Sequence, residues 1–389
     1  MGALDGLKIL DFSTLLPGPY ATMMLADLGA EVLKVSGKDK YDLVVHWPPM
    51  LEGTDTTAAA AWLGRNKKTI FLNLKKASAV EAVKKLILEY DIVLEQFRPG
   101  VMAKLGLDYE TLHKINPRLI YCSLTGYGQT GPLKQRAGHD INYLSRSGVM
   151  ASAGRKATGP VLTNMQIADM AVGSMNTVVS ILAAVHHRDR TGEGQYLDVS
   201  MMDGMVAFNS MDGACYLGGA AAPQREGQML NGGGIYDFYE TADGEYMSVG
   251  SLEPKFFAQL CQALGCPEWA DGKVLKEDTA LVKETFRARF KQKTQAEWTE
   301  IFAGYDACVE PVLSLEEAAE DEHINARGLV PEVPLPQAPG KTVRQLGCPI
   351  KLSACPAEYR HAGYPEGWHT EEVLSALGYT KEEITDMVE

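Results

Sequence analysis

The feature that most constrains this chain is an alternation running through residues 1–125: short aliphatic, β-branched runs, each followed by an amphipathic stretch. Leu7 to Phe12, Glu31 to Val35, Thr69 to Leu72, Ile92 to Glu95 and Leu119 to Leu124 read as strands, with Tyr20 to Leu28 and Val80 to Glu89 as helices between them. Parallel strands cannot be joined by a tight turn and need such crossovers. The pattern therefore predicts an α/β fold with a parallel sheet. The first turn, Leu15-Leu-Pro-Gly-Pro19, lacks the Gly-x-Gly-x-x-Gly spacing that lets backbone approach a pyrophosphate, which argues against a nicotinamide dehydrogenase.

Further along, Asp169 opens a helical stretch, Met170 to His187, stopped by Thr191-Gly-Glu-Gly194 before a short strand, Tyr196 to Val199, and another helix from Met201. From about residue 225 the texture changes to a hairpin, Ile235–Thr241 and Glu245–Val249 around Asp243-Gly244, followed by helical segments near Pro254–Leu264, Ala280–Gln292 and Ala296–Gly304. The 389 residues exceed what one core usually holds, so two domains are expected. The Pro-rich stretch Val330 to Pro349 reads as an extended return path, and Thr370–Leu377 and Lys381–Val388 as helices.

With 46% hydrophobic and 22% charged residues the composition is that of a folded globular protein. No basic, then apolar, leader opens the sequence, and the run Ala171 to Val185 falls short of the roughly 20 residues that span a bilayer. A cytoplasmic protein with no membrane role is the expectation. Seven scattered cysteines without a Cys-x-x-Cys predict neither disulfides nor a zinc site. His186 and His187 point about 100° apart on a helix and read as its solvated end, so no metal is expected. The net charge of −13 argues against nucleic acid. It is uneven, however: residues 1–150 hold 18 Lys+Arg against 15 Asp+Glu, leaving 19 against 35 for the remainder. The basic groups gather at Lys34, Lys38 and Lys40, at Arg65, Lys67, Lys68, Lys75 and Lys76, and at Arg98 and Lys104, where a small polyanion could dock or a charged face simply be solvated.

Chemistry concentrates in Gly138-His139-Asp140-Ile141-Asn142-Tyr143-Leu144, in Asp169, and in Glu253 of Val249-Gly-Ser-Leu-Glu253-Pro254. An imidazole that titrates near neutrality, set against carboxylates, can move a proton to and from a weak carbon acid. Each residue also has a structural reading. An Asp before an apolar helix is commonly its N-cap, Glu253 before Pro254 can cap the next helix, and a His after Gly can be purely structural.

Three motifs decide between these readings: Pro17-Gly-Pro19 with Leu25-Ala-Asp-Leu-Gly-Ala-Glu31, Phe97-Arg-Pro-Gly-Val-Met102 with Leu105-Gly-Leu107, and Thr125-Gly-Tyr-Gly-Gln-Thr-Gly-Pro132. With them the chain resembles the type III CoA-transferase and α-methylacyl-CoA racemase family over essentially its whole length. Gly138-His139-Asp140-Ile141-Asn142-Tyr143 and Asp306-Ala-Cys-Val309 are similar to its racemase branch. The resemblance implies a Rossmann-like large domain with a smaller α+β domain, placed here at 1–205 and 225–325 with a linker at 206–224 and a return segment at 326–389 that completes the large domain. It also implies an interlocked homodimer, an acyl-CoA thioester substrate, and no cofactor beyond the CoA that is part of that substrate.

The same resemblance assigns His139 and Asp169 as the two bases of a 1,1-proton transfer, with Glu253 near the histidine and Asp140 as a structural neighbour. Arg98, Lys38, Lys75, Leu74 and Lys104 become the candidate CoA contacts. At Ser36-Gly37-Lys38 this chain departs from the Glu-Arg-Pro or Glu-Arg-Arg of relatives, and Lys38 offers a point charge without the planar fork of arginine. In the transferase branch the residue at Asp169 is instead a nucleophile. A glycine-rich loop belongs to that chemistry, whereas Asn231-Gly-Gly-Gly234 here reads as a turn leading into the hairpin strand. An idle CoA-thioester binder is the third reading. Met201, Met202, Met205, Met211 and Met229 fit either a pliable acyl surface or a helix core.

Overall fold

The computed structural model describes residues 2–40, 42–271 and 278–389. The chain divides into two compact units. The first holds Met1–Ser147, Asn164–Phe208 and Glu322–Glu389, and the second Gly148–Thr163 and Asn209–Asp321. The C-terminal segment Glu322–Glu389 returns to the first unit. Residues 148–163, assigned from sequence to the large domain, group with the second unit, as do 209–224 of the expected linker, while 206–208 stay with the first.

The first unit is built on six strands, β1 (Lys8–Asp11), β2 (Glu31–Ser36), β3 (Lys68–Phe71), β4 (Ile92–Glu95), β5 (Ile120–Thr125) and β6 (Tyr196–Ser200), in the order β3-β2-β1-β4-β5-β6 with every pair parallel. Ile9, Leu10, Ile92, Val93 and Leu94 are fully buried, as strands covered on both faces must be. One face packs against helix α2 (Ala77–Leu86), whose Ala79, Ala82, Val83 and Leu86 face the sheet, and the closing helix Lys381–Val388 adds Ile384 and Met387 to the same core. Each of the larger side chains, Val83, Leu86, Ile384 and Met387, contributes roughly 1.5–3 kcal/mol by leaving water. The strand order reverses direction between β1 and β4, and in such sheets the crevice at the carboxyl ends of the two diverging strands is where ligands bind.

Helix α1 (Pro17–Asp27) starts in that crevice. A Cβ at Gly18 would lie 2.1 Å from the Cβ of Ser13, so only glycine lets the turn after β1 close onto the helix. Asp27, at the other end of α1, receives Nε and Nη2 of the buried Arg65 at 3.0 and 2.6 Å, and Nη1 of the same guanidinium donates to Gln345 and Leu346 of the return segment. Arg65 and Lys67 are thus structural and not part of a solvent-facing basic cluster. Lys67 Nζ donates to Pro19 O and Thr22 Oγ1, and Lys68 and Lys76 are occupied by Glu372 and Asp386.

Three further helices of this unit bear on the site: α3 (Asp140–Arg146), α4 (Ile167–Thr191) and α5 (Met201–Ala207). By length and composition α4 could cross a membrane, where the sequence reading found its apolar run too short. In this fold it packs on α1, β5 and β6, burying Thr177, Val178, Ile181 and Ala184, with Arg188 paired to Asp91 at 2.8 Å. His186 and His187 are exposed near its end.

In the second unit, β7 (Asp237–Glu240), β8 (Tyr246–Val249) and β9 (Val309–Pro311) form an antiparallel sheet in that order, backed by the helices Pro254–Leu264, Thr279–Phe290 and Gln295–Phe302. Tyr239, Phe257, Phe286, Phe290, Trp298 and Phe302 make its core. Arg155 Nη1 reaches Asp237 at 3.1 Å and Glu226 at 3.3 Å, and Lys283 pairs with the same Asp237, which fixes residues 148–163 to this unit. Asn231 Nδ2 donates to Gln224 O and Ser152 O, and Gly232 takes a φ of +90°, so the glycine run serves as the turn ahead of β7.

Candidate active site

A cleft of about 420 Å³ opens in the first unit where β1, β4 and β5 end. Its walls come from the turns after those strands, Thr14-Leu15, Gln96-Phe97-Arg98-Pro99 and Thr125-Gly126-Tyr127, and from His139, Asn142 and Tyr143, Asp169 and Met201. The topology thus gathers segments far apart in sequence, and it brings His139 and Asp169 to one cleft.

The turn after β4 is held from below. Glu95 Oε2 accepts the Phe97 N–H at 2.7 Å, and Ser123 Oγ donates to the other oxygen. Burial pushes the Glu95 carboxyl up to about 7, against the pull of those two bonds. Gln135 Nε2 donates to Pro99 O at 2.8 Å, tying the segment before His139 to the same turn. Tyr143 OH donates to Gly138 O at 2.6 Å, and its ring stands edge-on to Tyr127 at 5.2 Å. A Cβ at Gly126 would fall 2.4 Å from the Tyr143 ring, which explains the glycine there.

His139 precedes the first residue of α3 in an extended conformation, and its backbone N–H is taken by Asn142 Oδ1 at 3.0 Å. Asp169 is the third residue of α4, whose first eight residues, Ile167–Ser174, are π-helical. Wide turns of this kind recur at functional sites. The N-cap role that Asp169 could have had is filled from another element. Asp140 Oδ1 accepts the amide N–H groups of Ala168 at 2.6 Å and of Asp169 at 3.1 Å. The Asp169 carboxyl accepts no hydrogen bond among the described residues. Burial, with the nearby Asp140 carboxylate, pushes it up to about 7. Burial likewise raises Asp140, whose two amide bonds pull the other way.

Beside this cleft lies a second, of about 480 Å³, sharing Thr14, Leu15 and Phe97 with it. Leu74 and Lys75 line it, as does Lys40, whose ammonium sits 4.3 Å over the Phe97 ring. Of the candidate CoA contacts, Arg98 lines the first cleft, and Leu74 and Lys75 the second. Lys38 and Lys104 line neither, because Lys38 turns toward the closing helices and Lys104 is exposed at the end of the short helix Val101–Lys104. Lys134 and Arg136 line the first cleft and were not singled out from sequence, although their place just before Gly138 was a usable signal. Glu253 belongs to the second unit, at the N-cap of Pro254–Leu264. Its carbonyl accepts the N–H groups of Phe256 and Phe257, and its exposed side chain makes no capping bond. Met201 and Met205 are buried, whereas Met211 and Met229 are exposed.

A doubly wound parallel sheet with an imidazole and a partnerless carboxyl at its switch point defines an α/β enzyme-type site. The chain belongs to CoA-transferase family III, whose sequence profile matches residues 4–370. It is 36% identical over 387 residues to alpha-methylacyl-CoA racemase of Homo sapiens, covering 98% of this chain and 95% of that one. It is 34% identical over 352 residues to succinyl-CoA:glutarate CoA-transferase of Homo sapiens, covering 88% and 80%. Among solved structures, a CaiB/BaiF family protein from Brucella suis superposes with a TM-score of 0.84 at 29% identity, covering 97% of this chain and 99% of that one.

Proposed function

We propose that this protein is a racemase or epimerase that inverts the α-carbon of 2-methylacyl-CoA thioesters, with His139 and Asp169 exchanging the proton. The observation that carries the reading is their presence in one cleft, with the Asp169 carboxyl free of hydrogen bonds among the described residues and pushed up to about 7 by burial. A base matched to the working pH can both remove and return a proton. In one direction His139 takes the C2 proton, and the C–H electron pair moves into the C1–C2 bond and onto the thioester oxygen. Asp169 then delivers its own proton to the opposite face of C2, and the carbonyl re-forms. Exchanged roles serve the other enantiomer, and no group is transferred or oxidised.

Arg98, Lys134 and Arg136 give the cleft a positive lining suited to phosphates and to developing enolate charge. In this reading CoA runs from the Leu74, Lys75 and Lys40 cleft toward Asp169. The active form is an interlocked homodimer, consistent with exposed apolar side chains such as Met211 and Leu217 on the helix Ser210–Leu217.

The partnerless Asp169 also suits the second reading, a transferase in which it is the nucleophile that takes the acyl group from CoA. Incubation of a chiral 2-methylacyl-CoA in deuterated water, with and without an added free carboxylic acid, separates the two. Inversion with deuterium at C2 and no added acid is expected. Retained configuration without label, together with CoA transfer once an acid is present, would overturn the racemase reading.

A further inference from the structure

Asp140 is drawn into the site by a contact that no motif announces. It is the first residue of α3, directly after His139, yet its Oδ1 accepts the amides of Ala168 and Asp169 at 2.6 and 3.1 Å. Those amides open the π-helical start of α4, where backbone N–H groups have no partner within the helix. One carboxylate thus joins the segment that carries His139 to the segment that carries Asp169, across a sequence separation of 28 from Asp140 to Ala168. Ser174 Oγ fixes the far end of the same wide turn, donating to Pro17 O at 2.6 Å and lying 3.2 Å from Asp169 O.

Resting on the proton-transfer reading above, we propose that Asp140 is the positioning residue of this site: its carboxylate clamps the first turn of α4 to the first turn of α3, holding the Asp169 carboxyl at a fixed separation from the His139 imidazole. A neutral acceptor in its place would keep the clamp. Removal of the acceptor frees the turn, and a misplacement of about 1 Å costs on the order of 10²-fold in rate. A second effect follows from charge. Asp140 is the carboxylate that, after burial, raises Asp169. The other charged or titratable groups toward the cleft are His139, Tyr127 and Tyr143, with Arg98, Lys134 and Arg136, while α1 and α5 contribute only Pro17 and Met201 to the lining.

Asp140→Ala and Asp140→Asn separate clamp from charge. In Asp140→Ala, turnover at saturation falls about 10²-fold, KM stays within about threefold, and the Ala168 and Asp169 amides lose hydrogen-exchange protection. In Asp140→Asn the protection is kept, at least tenfold of the lost rate returns, and the limb of the pH profile that reports Asp169 moves to lower pH. Unchanged amide protection in Asp140→Ala overturns the clamp, as does an Asn variant no better than Ala. The exchange readout does not depend on which reaction is catalysed. Wild-type protein that transfers CoA without inverting C2 would therefore fail the functional reading and leave the clamp test standing.

Discussion

Two carboxyls at the carboxyl edge of the same sheet, Asp11 fully buried and Asp169 half-buried, are treated in opposite ways. Asp11, the last residue of β1, is fully buried and saturated. It accepts the Ser13 N–H at 2.8 Å and Thr22 Oγ1 at 2.6 Å, with Lys67 Nζ at 3.7 Å and Lys34 Nζ at 4.0 Å. Burial alone would raise it, but the two lysines and two hydroxyls outweigh that and hold it below the usual carboxylate range. Asp169 has another carboxylate for a neighbour and no donor, and burial pushes it up to about 7. Asp11 is surrounded by cations and hydroxyls, whereas Asp169, the proposed proton carrier, has neither among the described residues.

The contrast predicts four effects of decreasing size. Replacement of His139 or Asp169 by Ala should lower inversion by about 10⁴-fold, since inversion needs a proton removed and another delivered. Single-face deuterium uptake should survive in whichever variant keeps one base, and chiral analysis with mass-resolved label would show it. Full inversion in His139→Ala would erase the distinction drawn here. Asp11→Ala should destabilise the fold by about 3–5 kcal/mol, because it strands Lys34 and Lys67 in the interior, and urea unfolding would report it.

Asp169→Asn should do the reverse. The raised pKa means that the folded state keeps a proton between about pH 4 and 7 that the unfolded chain has released, so wild-type stability falls with pH across that window and is flat above it. Asparagine, which resembles the protonated acid, removes that slope. The variant should match wild type near pH 4 and exceed it by about 2 kcal/mol at pH 8, a figure reduced for partial solvent exposure. Paired unfolding curves at the two pH values check the sign. Smallest, Arg98→Ala should raise KM for an acyl-CoA about fivefold with turnover at saturation nearly unchanged, and added salt should shrink the difference.

Much of the architecture was legible because local pattern and final packing agree. The strands from Lys8 to Thr125 lie within about a residue of their sequence positions, since buried aliphatic runs bounded by turns leave little freedom of register. The hairpin at Asp243-Gly244 formed as its turn chemistry dictates. What escaped was set by contacts distant in sequence. β9 joins the second sheet only through pairing with β8, and the Pro-rich return path forms a short hairpin, Glu332–Pro334 with Thr342–Arg344. Residues 148–163 group with the second unit through the ion pairs of Arg155. In the site, His139 and Asp169 could be named from motif resemblance. That Asp140 would take the capping role, and so leave Asp169 without a partner, depends on a helix start 28 residues away that no local propensity describes. Basic residues misled for the same reason, because charge in a sequence does not say whether a lysine meets solvent, as Lys104 does, or a buried aspartate, as Lys67 does.

The most direct test of this contrast is to titrate the two carboxyls themselves, by carbon-13 NMR of aspartate-labelled protein with resonances assigned through Asp169→Asn and a conservative Asp11 variant. Asp169 should titrate with a midpoint near pH 7 while Asp11 stays ionised to below the ordinary aspartate range. An Asp169 carboxyl that is fully ionised by pH 5 would contradict the account, because the site would then hold a fixed anion and not an acid able to give its proton back.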